Sequence, residues 1–198
     1  MNEYWLEPWV PHRGRVFVDV GANVGTWTRW LAPNFDQVHA IEPNPDALIG
    51  LREDLPENVI VHEVGAWSCE TTLIFSLFTE SVHMSSFFTE AGINTGSKVK
   101  EIELKCCAID SLNISEPVDF LKCDTEGAEI ECLLGAKQLI LKSRPWLLIE
   151  VHSSKNFLTL AQLLAKWNYL FTVLRDPYYE PFSHLWYEHC WFSCQPAL

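Results

Sequence analysis

The chain has 198 residues, 48% of them hydrophobic, and carries 26 acidic against 14 basic side chains for a net charge of −12. That length supports one domain with a substantial core, and the composition excludes disordered and collagen-like chains. Both halves are acidic, which argues against nucleic acid or anionic lipid as a partner, because both require Lys and Arg in excess.

The opening Met-Asn-Glu-Tyr-Trp-Leu-Glu lacks the basic start and apolar core of a signal peptide. Seven cysteines at no framework or zinc-finger spacing suit small buried hydrophobes in a reducing cytosol, so a cytoplasmic protein is expected. Asn156, Gln162, Lys166 and Asn168 interrupt the most apolar long stretch, so no membrane span is expected. We expect a monomer or homodimer.

Short β-branched runs then alternate with helical patterns. Arg15 to Val20 reads as a buried strand, followed by a glycine turn at 21–25 and a helix from Thr26 to about Phe35. Gln37 to Ile41 is a second strand, after which Asn44 caps a helix from Pro45 to about Leu55. Asn58 to Val64 is a third strand, and this βαβαβ start implies a parallel sheet with right-handed crossovers. Thr71 to Phe78 and Val99 to Ala108 read as strands with no convincing helix between them, so 71–108 is expected to be a β insertion covering the site. Val118 to Cys123 restarts the parallel pattern, with a helix from about Ala128, interrupted at Gly135, to about Lys142. A strand from Trp146 to Val151 and a helix from Phe157 to Trp167 follow. Leu170 to Leu174 and Tyr187 to Ser193 read as a closing pair within a C-terminal hairpin, 169–198.

The strongest local signal is the first strand-to-helix turn, Val18-Asp19-Val20-Gly21-Ala22-Asn23-Val24-Gly25-Thr26. Glycine there lets backbone approach a ligand closely and bend into a helix. Glu42, followed by Pro43, ends the second strand where an acid can accept hydrogen bonds from ribose hydroxyls. Asp19 would repel a phosphate and suit an ammonium or sulfonium. A tight turn with a structural Asp is the plain alternative.

Asp124 stands just beyond a buried strand, at the edge where open α/β sheets bind ligands, with Glu126 and Glu129 close behind. The three acids also suggest a divalent metal, but only one segment supplies them, and we expect no bound metal. The helix dipole favours acids in a first turn, which accounts for Glu129 and offers an alternative for Glu126. His152 ends the next strand, where it can stand beside Asp124 as a general base. Glu150 counts as catalytic only if it shares a face with Asp124.

Taken in order, Val-Asp-Val-Gly-Ala-Asn-Val-Gly-Thr, Ile-Glu-Pro-Asn-Pro, Val-Gly-Ala-Trp-Ser, Ser85-Ser86-Phe87, Leu-Lys-Cys-Asp-Thr-Glu-Gly-Ala-Glu and Arg-Pro-Trp-Leu-Leu-Ile-Glu-Val-His resemble the FkbM family of S-adenosylmethionine-dependent methyltransferases. The resemblance runs from Arg15 to His152. It implies an α/β, Rossmann-like methyltransferase fold over 1–198, with a mostly parallel sheet and an antiparallel C-terminal strand. It implies S-adenosylmethionine as cofactor and O-methylation of a hydroxyl on a sugar, glycan or small metabolite. Carried onto this chain, Asp19, Gly21, Asn23 and Gly25 would line the methionine end, and Glu42 and Pro43 the ribose. Gly65 and Ala66 would flank adenine with Trp67 as a stacking face, and Ser85 and Ser86 would meet the acceptor. Asp124 would touch both cofactor and reaction, joined by Glu126 and His152 as the catalytic set, with Asp124 and His152 sharing base or relay duty. Tyr178, Tyr179 and Trp186 could stack on a sugar ring. Two other readings share these features. One is a non-catalytic cofactor-binding relative. The other is a nicotinamide-dependent oxidoreductase, for which both the glycine fingerprint and a Tyr-x-x-x-Lys pair are missing.

Overall fold

The computed structural model describes residues 3–78, 99–114, 117–175 and 190–197. A short 3-10 helix, Glu3–Trp9, leads into β1, Gly14–Val20. The chain continues through α1 (Thr26–Leu31), β2 (Phe35–Ile41), α2 (Pro45–Leu51), β3 (Val59–His62), β4 (Gly65–Ala66), β5 (Thr71–Phe78) and β6 (Val99–Cys107). The second half holds β7 (Phe120–Cys123), α3 (Glu129–Gly135), α4 (Lys137–Ser143), β8 (Trp146–Val151), α5 (Ser154–Lys166), β9 (Tyr169–Leu174) and β10 (Cys190–Pro196).

Seven strands form the main sheet in the order β3-β2-β1-β7-β8-β10-β9. The pairs from β3 through to β8 are parallel, and β10 runs antiparallel between β8 and β9. The expected Rossmann-like sheet with an antiparallel C-terminal strand is therefore present. β5 and β6 pair antiparallel as the expected insertion, and β4 adds to β6 to complete a separate three-stranded sheet. The sequence offered no sign of β4, because two residues show no alternation and their pairing with Cys106 and Cys107 is a tertiary event.

Several boundaries moved for local reasons. The first helix stops at Leu31 and tightens into a 3-10 turn over Ala32–Asn34, because Pro33 has no N–H to continue it. β2 consequently begins at Phe35 rather than Gln37. α2 stops at Leu51, and Asp54 takes a left-handed φ of 48° just before Pro56. The Ser153 side chain caps α5 by accepting the Asn156 N–H, so that helix begins at Ser154 rather than Phe157. The α3–α4 break follows Gly135, where a Cβ would come within 1.9 Å of the Trp67 carbonyl oxygen. β10 begins at Cys190, while Tyr187 to His189 lie outside the described residues.

The sheet has an apolar cluster on each face. Val16, Val18, Val20, Leu121, Cys123, Leu147, Ile149 and Val151 pack with α3 and α5 on one side. On the other, Phe17, Phe120 and Leu148 pack with Trp27, Leu31, Trp191 and the N-terminal Leu6 and Val10. Alternate residues of a strand share a face, so this second face continues as Phe17-Asp19-Gly21, Phe120-Lys122-Asp124 and Leu148-Glu150-His152. It is apolar at the amino half of the sheet and charged at the carboxyl end.

Candidate functional site

The strand order reverses between β1 and β7, and their carboxyl ends stay hydrogen-bonded, the Asp124 N–H donating to the Val20 carbonyl at 3.1 Å. A crevice at such a reversal is where open α/β sheets hold ligands. The chain leaves β1 with left-handed φ values at Gly21 (74°), Asn23 (51°) and Gly25 (85°). A Cβ on Gly21 would lie 1.8 Å from the Asp124 carbonyl oxygen, so only glycine lets the two turns touch. The Arg29 guanidinium fastens the turn to α2 by donating to the carbonyls of Val24, Gly50, Leu51 and Glu53.

Glu42, at the end of β2, is buried and accepts the N–H groups of Asn23 at 2.8 Å and Asn44 at 2.7 Å. Burial pushes its carboxyl up to about 7, against the opposing pull of those two amides and of Lys122. Pro43 follows it, half-buried. Gly65 and Ala66 are buried in the second sheet, where the Ala66 carbonyl accepts the Cys132 thiol at 3.2 Å. Trp67 is half-buried against the α3-side core.

Asp19 does not open onto the crevice. Its side chain is 0% exposed, and the Thr28 hydroxyl donates to Oδ2 at 2.6 Å. Lys122, 2% exposed, stands 3.3 Å from Asp19 Oδ1. That approach is an ion pair without hydrogen-bond alignment, since Oδ1 itself has no hydrogen-bond partner. The ammonium is aimed elsewhere: it donates to the Gly21 carbonyl at 2.9 Å and lies 3.5 Å from Asp124 Oδ2. Lys122 therefore links the two strand ends.

Asp124, Glu126 and His152 come together as the sequence placed them. Glu126 and Gly127 take left-handed φ values of 52° and 108°, folding the segment so that Glu126 reaches back to the imidazole. Three carboxylates surround His152 Nε2: Glu126 at 3.5 Å, Asp124 at 3.6 Å and Glu150 at 3.8 Å. A fourth, Glu129, contacts Nδ1 at 2.8 Å. Burial alone would lower the His152 pKa; the Glu129 hydrogen bond and the charges of Glu129, Glu150 and Asp124 overcome it and push the imidazole up to about 10. Burial, reinforced by Asp124 and Glu129, raises Glu126 to about 7 although His152 and Lys122 oppose it. At neutral pH His152 is thus an imidazolium, and a proton acceptor must come from the carboxylates around it.

Glu150 faces the same way as Asp124. That was the condition for counting it with the site, and its spacing of two from His152 along β8 was the signal for it. Asp124, Glu150 and His152 each offer a donor atom within 4.8 Å of the others, a set that could hold a divalent ion. Ser85, Ser86, Tyr178, Tyr179 and Trp186 lie outside the described residues.

A family model for the Methyltransferase FkbM domain matches residues 19–171. The chain belongs to the FkbM methyltransferase domain family. Among solved structures, the FkbM methyltransferase of Methylobacillus flagellatus KT is similar at TM-score 0.64 and 20% identity, covering 91% of this chain and 43% of that one. An rRNA methylase from Streptococcus thermophilus is similar at TM-score 0.57 and 13% identity, covering 98% of this chain and 93% of that one. A Streptococcus mutans protein described as a methyltransferase, in complex with SAH, is similar at TM-score 0.56 and 15% identity over 94% of this chain and 90% of that one. A search of curated proteins returns no match. This FkbM domain thus spans less than half the length of its M. flagellatus relative and shares the Rossmann-like fold of methyltransferases.

Proposed function

We propose that the protein is an S-adenosylmethionine-dependent methyltransferase that methylates a hydroxyl of a sugar, glycan or small metabolite. The observation that carries this reading is the acid cluster at the strand-order reversal, beside a glycine turn and a ribose-type carboxylate, in a chain of the FkbM methyltransferase family. S-adenosylmethionine is the cofactor that family implies, and SAH in the S. mutans neighbour is its demethylated product. The residues present fit it. Gly21 leaves bare backbone where any Cβ would strike Asp124, and Glu42 is a buried acid at the second strand's end. The partly open Asp124, Glu126 and Glu150 suit a cationic ligand. Gly21, Asn23, Gly25, Glu42, Pro43 and Asp124 would hold the cofactor, with Gly65, Ala66 and Trp67 at its adenine; Asp19 would act from within, through Lys122.

When bound, S-adenosylmethionine supplies an electrophilic methyl group on a sulfonium. The protein aligns the acceptor oxygen and removes its proton as the carbon–oxygen bond forms and the sulfur–carbon bond breaks. Alignment alone can contribute about 7–11 kcal/mol. Glu126, raised toward neutrality, and Asp124 take the hydroxyl proton; a base so placed adds roughly 10²–10⁴-fold. His152, as an imidazolium, draws the carboxylates together and limits their mutual repulsion. This reading gives base duty to Asp124 and Glu126, where the sequence alone suggested that Asp124 and His152 share it.

The test is mass spectrometry of products formed with methyl-labelled S-adenosylmethionine and a mixture of glycans and hydroxylated metabolites. Label on an acceptor oxygen is expected, and Asp124→Asn should abolish it. Label on nitrogen or carbon, or no labelled acceptor at all while cofactor binds, would overturn O-methylation.

A further inference from the structure

We infer that Glu129, held by Asn156, is the positioning residue of the site, fixing the ring of His152 so that Nδ1 is engaged inward and Nε2 faces Asp124, Glu126 and Glu150. The inference rests on the proposed function for its catalytic meaning, but not for its geometry. Glu129 is 0% exposed, and both of its oxygens are engaged. Oε1 accepts the Gly127 N–H at 2.7 Å and the His152 Nδ1–H at 2.8 Å. Oε2 accepts from Asn156 Nδ2 at 2.8 Å, and the same amide nitrogen donates to the Gly127 carbonyl at 3.0 Å.

A first-turn acid that only served its helix would need no more than the Gly127 N–H. The contacts to α5 and to the end of β8 have another consequence. An imidazole whose Nδ1 proton is bound to a carboxylate has its ring plane and tautomer settled, and a buried carboxylate stabilises the imidazolium. Asn156 closes the chain of contacts: it sits in the first turn of α5, whose Ser153 cap fixes where that turn begins. Glu129 thus reaches from α3 to both β8 and α5, and His152 is clamped between a buried acid and three partly open ones. Among the described residues, the charged groups facing the ring include Glu129 from α3, Glu150 from β8, and Asp124 and Glu126 from the segment after β7.

The test is nitrogen-15 NMR of the histidine side chains in the full chain at neutral pH without any ligand. The wild-type protein is expected to show His152 with a hydrogen-bonded Nδ1–H that exchanges slowly with solvent. Glu129→Gln, which keeps volume and can still cap Gly127, should speed that exchange by roughly tenfold, the difference between a charge-assisted and a neutral hydrogen bond. Asn156→Ala, at a half-buried position, should speed it by less, and denaturation curves identify a variant that simply fails to fold. Calorimetry with SAH on the same samples should give affinities within about threefold of wild type, and turnover on the labelled acceptor should fall by roughly 10²-fold, the low end of a proton-transfer contribution. An Nδ1 proton exchange unchanged in both folded variants would overturn the positioning role. Failure of the wild-type protein to bind SAH would overturn the proposed function and leave the NMR result standing.

Discussion

The buried pair Asp19 and Lys122 shows how single residues set the charge of this site. Neither side chain reaches solvent, yet between them they touch Gly21 and Asp124, one from each strand end. Removing one partner of a buried pair leaves an uncompensated charge and costs about 3–5 kcal/mol, whereas removing both is often close to neutral. Lys122→Met should therefore destabilise the protein by about 3–5 kcal/mol in urea denaturation, and Asp19→Asn with Lys122→Met should recover most of the loss. A double variant no more stable than the single one would show that the lysine acts mainly through Gly21 and Asp124. Asp124 and His152 were legible in the sequence because each follows a short buried strand. The role of Lys122 was not, since a lysine inside a four-residue strand reveals its partner only once β1 and β7 are in register.

At the scale of elements, strand identity was legible wherever β-branched runs were bounded by turn residues, and boundaries failed where a cap or proline decided them. Pro33 and Ser153 acted locally and could have been read; β4 could not, because it exists only through its pairing with β6. Next to the site, β2 and β3 are joined by a feature that titrates. His39 Nδ1 meets His62 Nε2 at 2.9 Å, with Gln37 Oε1 3.0 Å from the other nitrogen of His39. Burial, with the neighbouring His62, lowers His39 to about 4, and burial lowers His62 as well. Both imidazoles bind protons more weakly in the folded protein than in the unfolded chain. The stability contributed by these two imidazoles is accordingly whole above about pH 6.5 and falls as the pH drops from there toward 4. Urea midpoints measured across that range should fall less steeply in His39→Gln than in wild type, and parallel slopes would contradict the assignment.

Among the described residues, the tryptophan-bearing face of the sheet is apolar at its amino half and acidic at its carboxyl edge. Of the nine tryptophans, Trp27 packs with tilted rings against both Trp30 and Trp191, while Trp5, Trp9 and Trp146 pack on the same cluster. They build the floor on which the charged rows stand. The net charge of −12 acquires a location too: four carboxylates around one imidazole make a crevice suited to a cation. No helix among the described residues is long and apolar enough to cross a membrane. Calorimetric titration of the full chain with SAH, set beside NAD, tests this account most directly. We predict micromolar binding of SAH, its loss in Glu42→Ala, and no binding of NAD. Binding of NAD with none of SAH, or SAH affinity indifferent to Glu42, would contradict it.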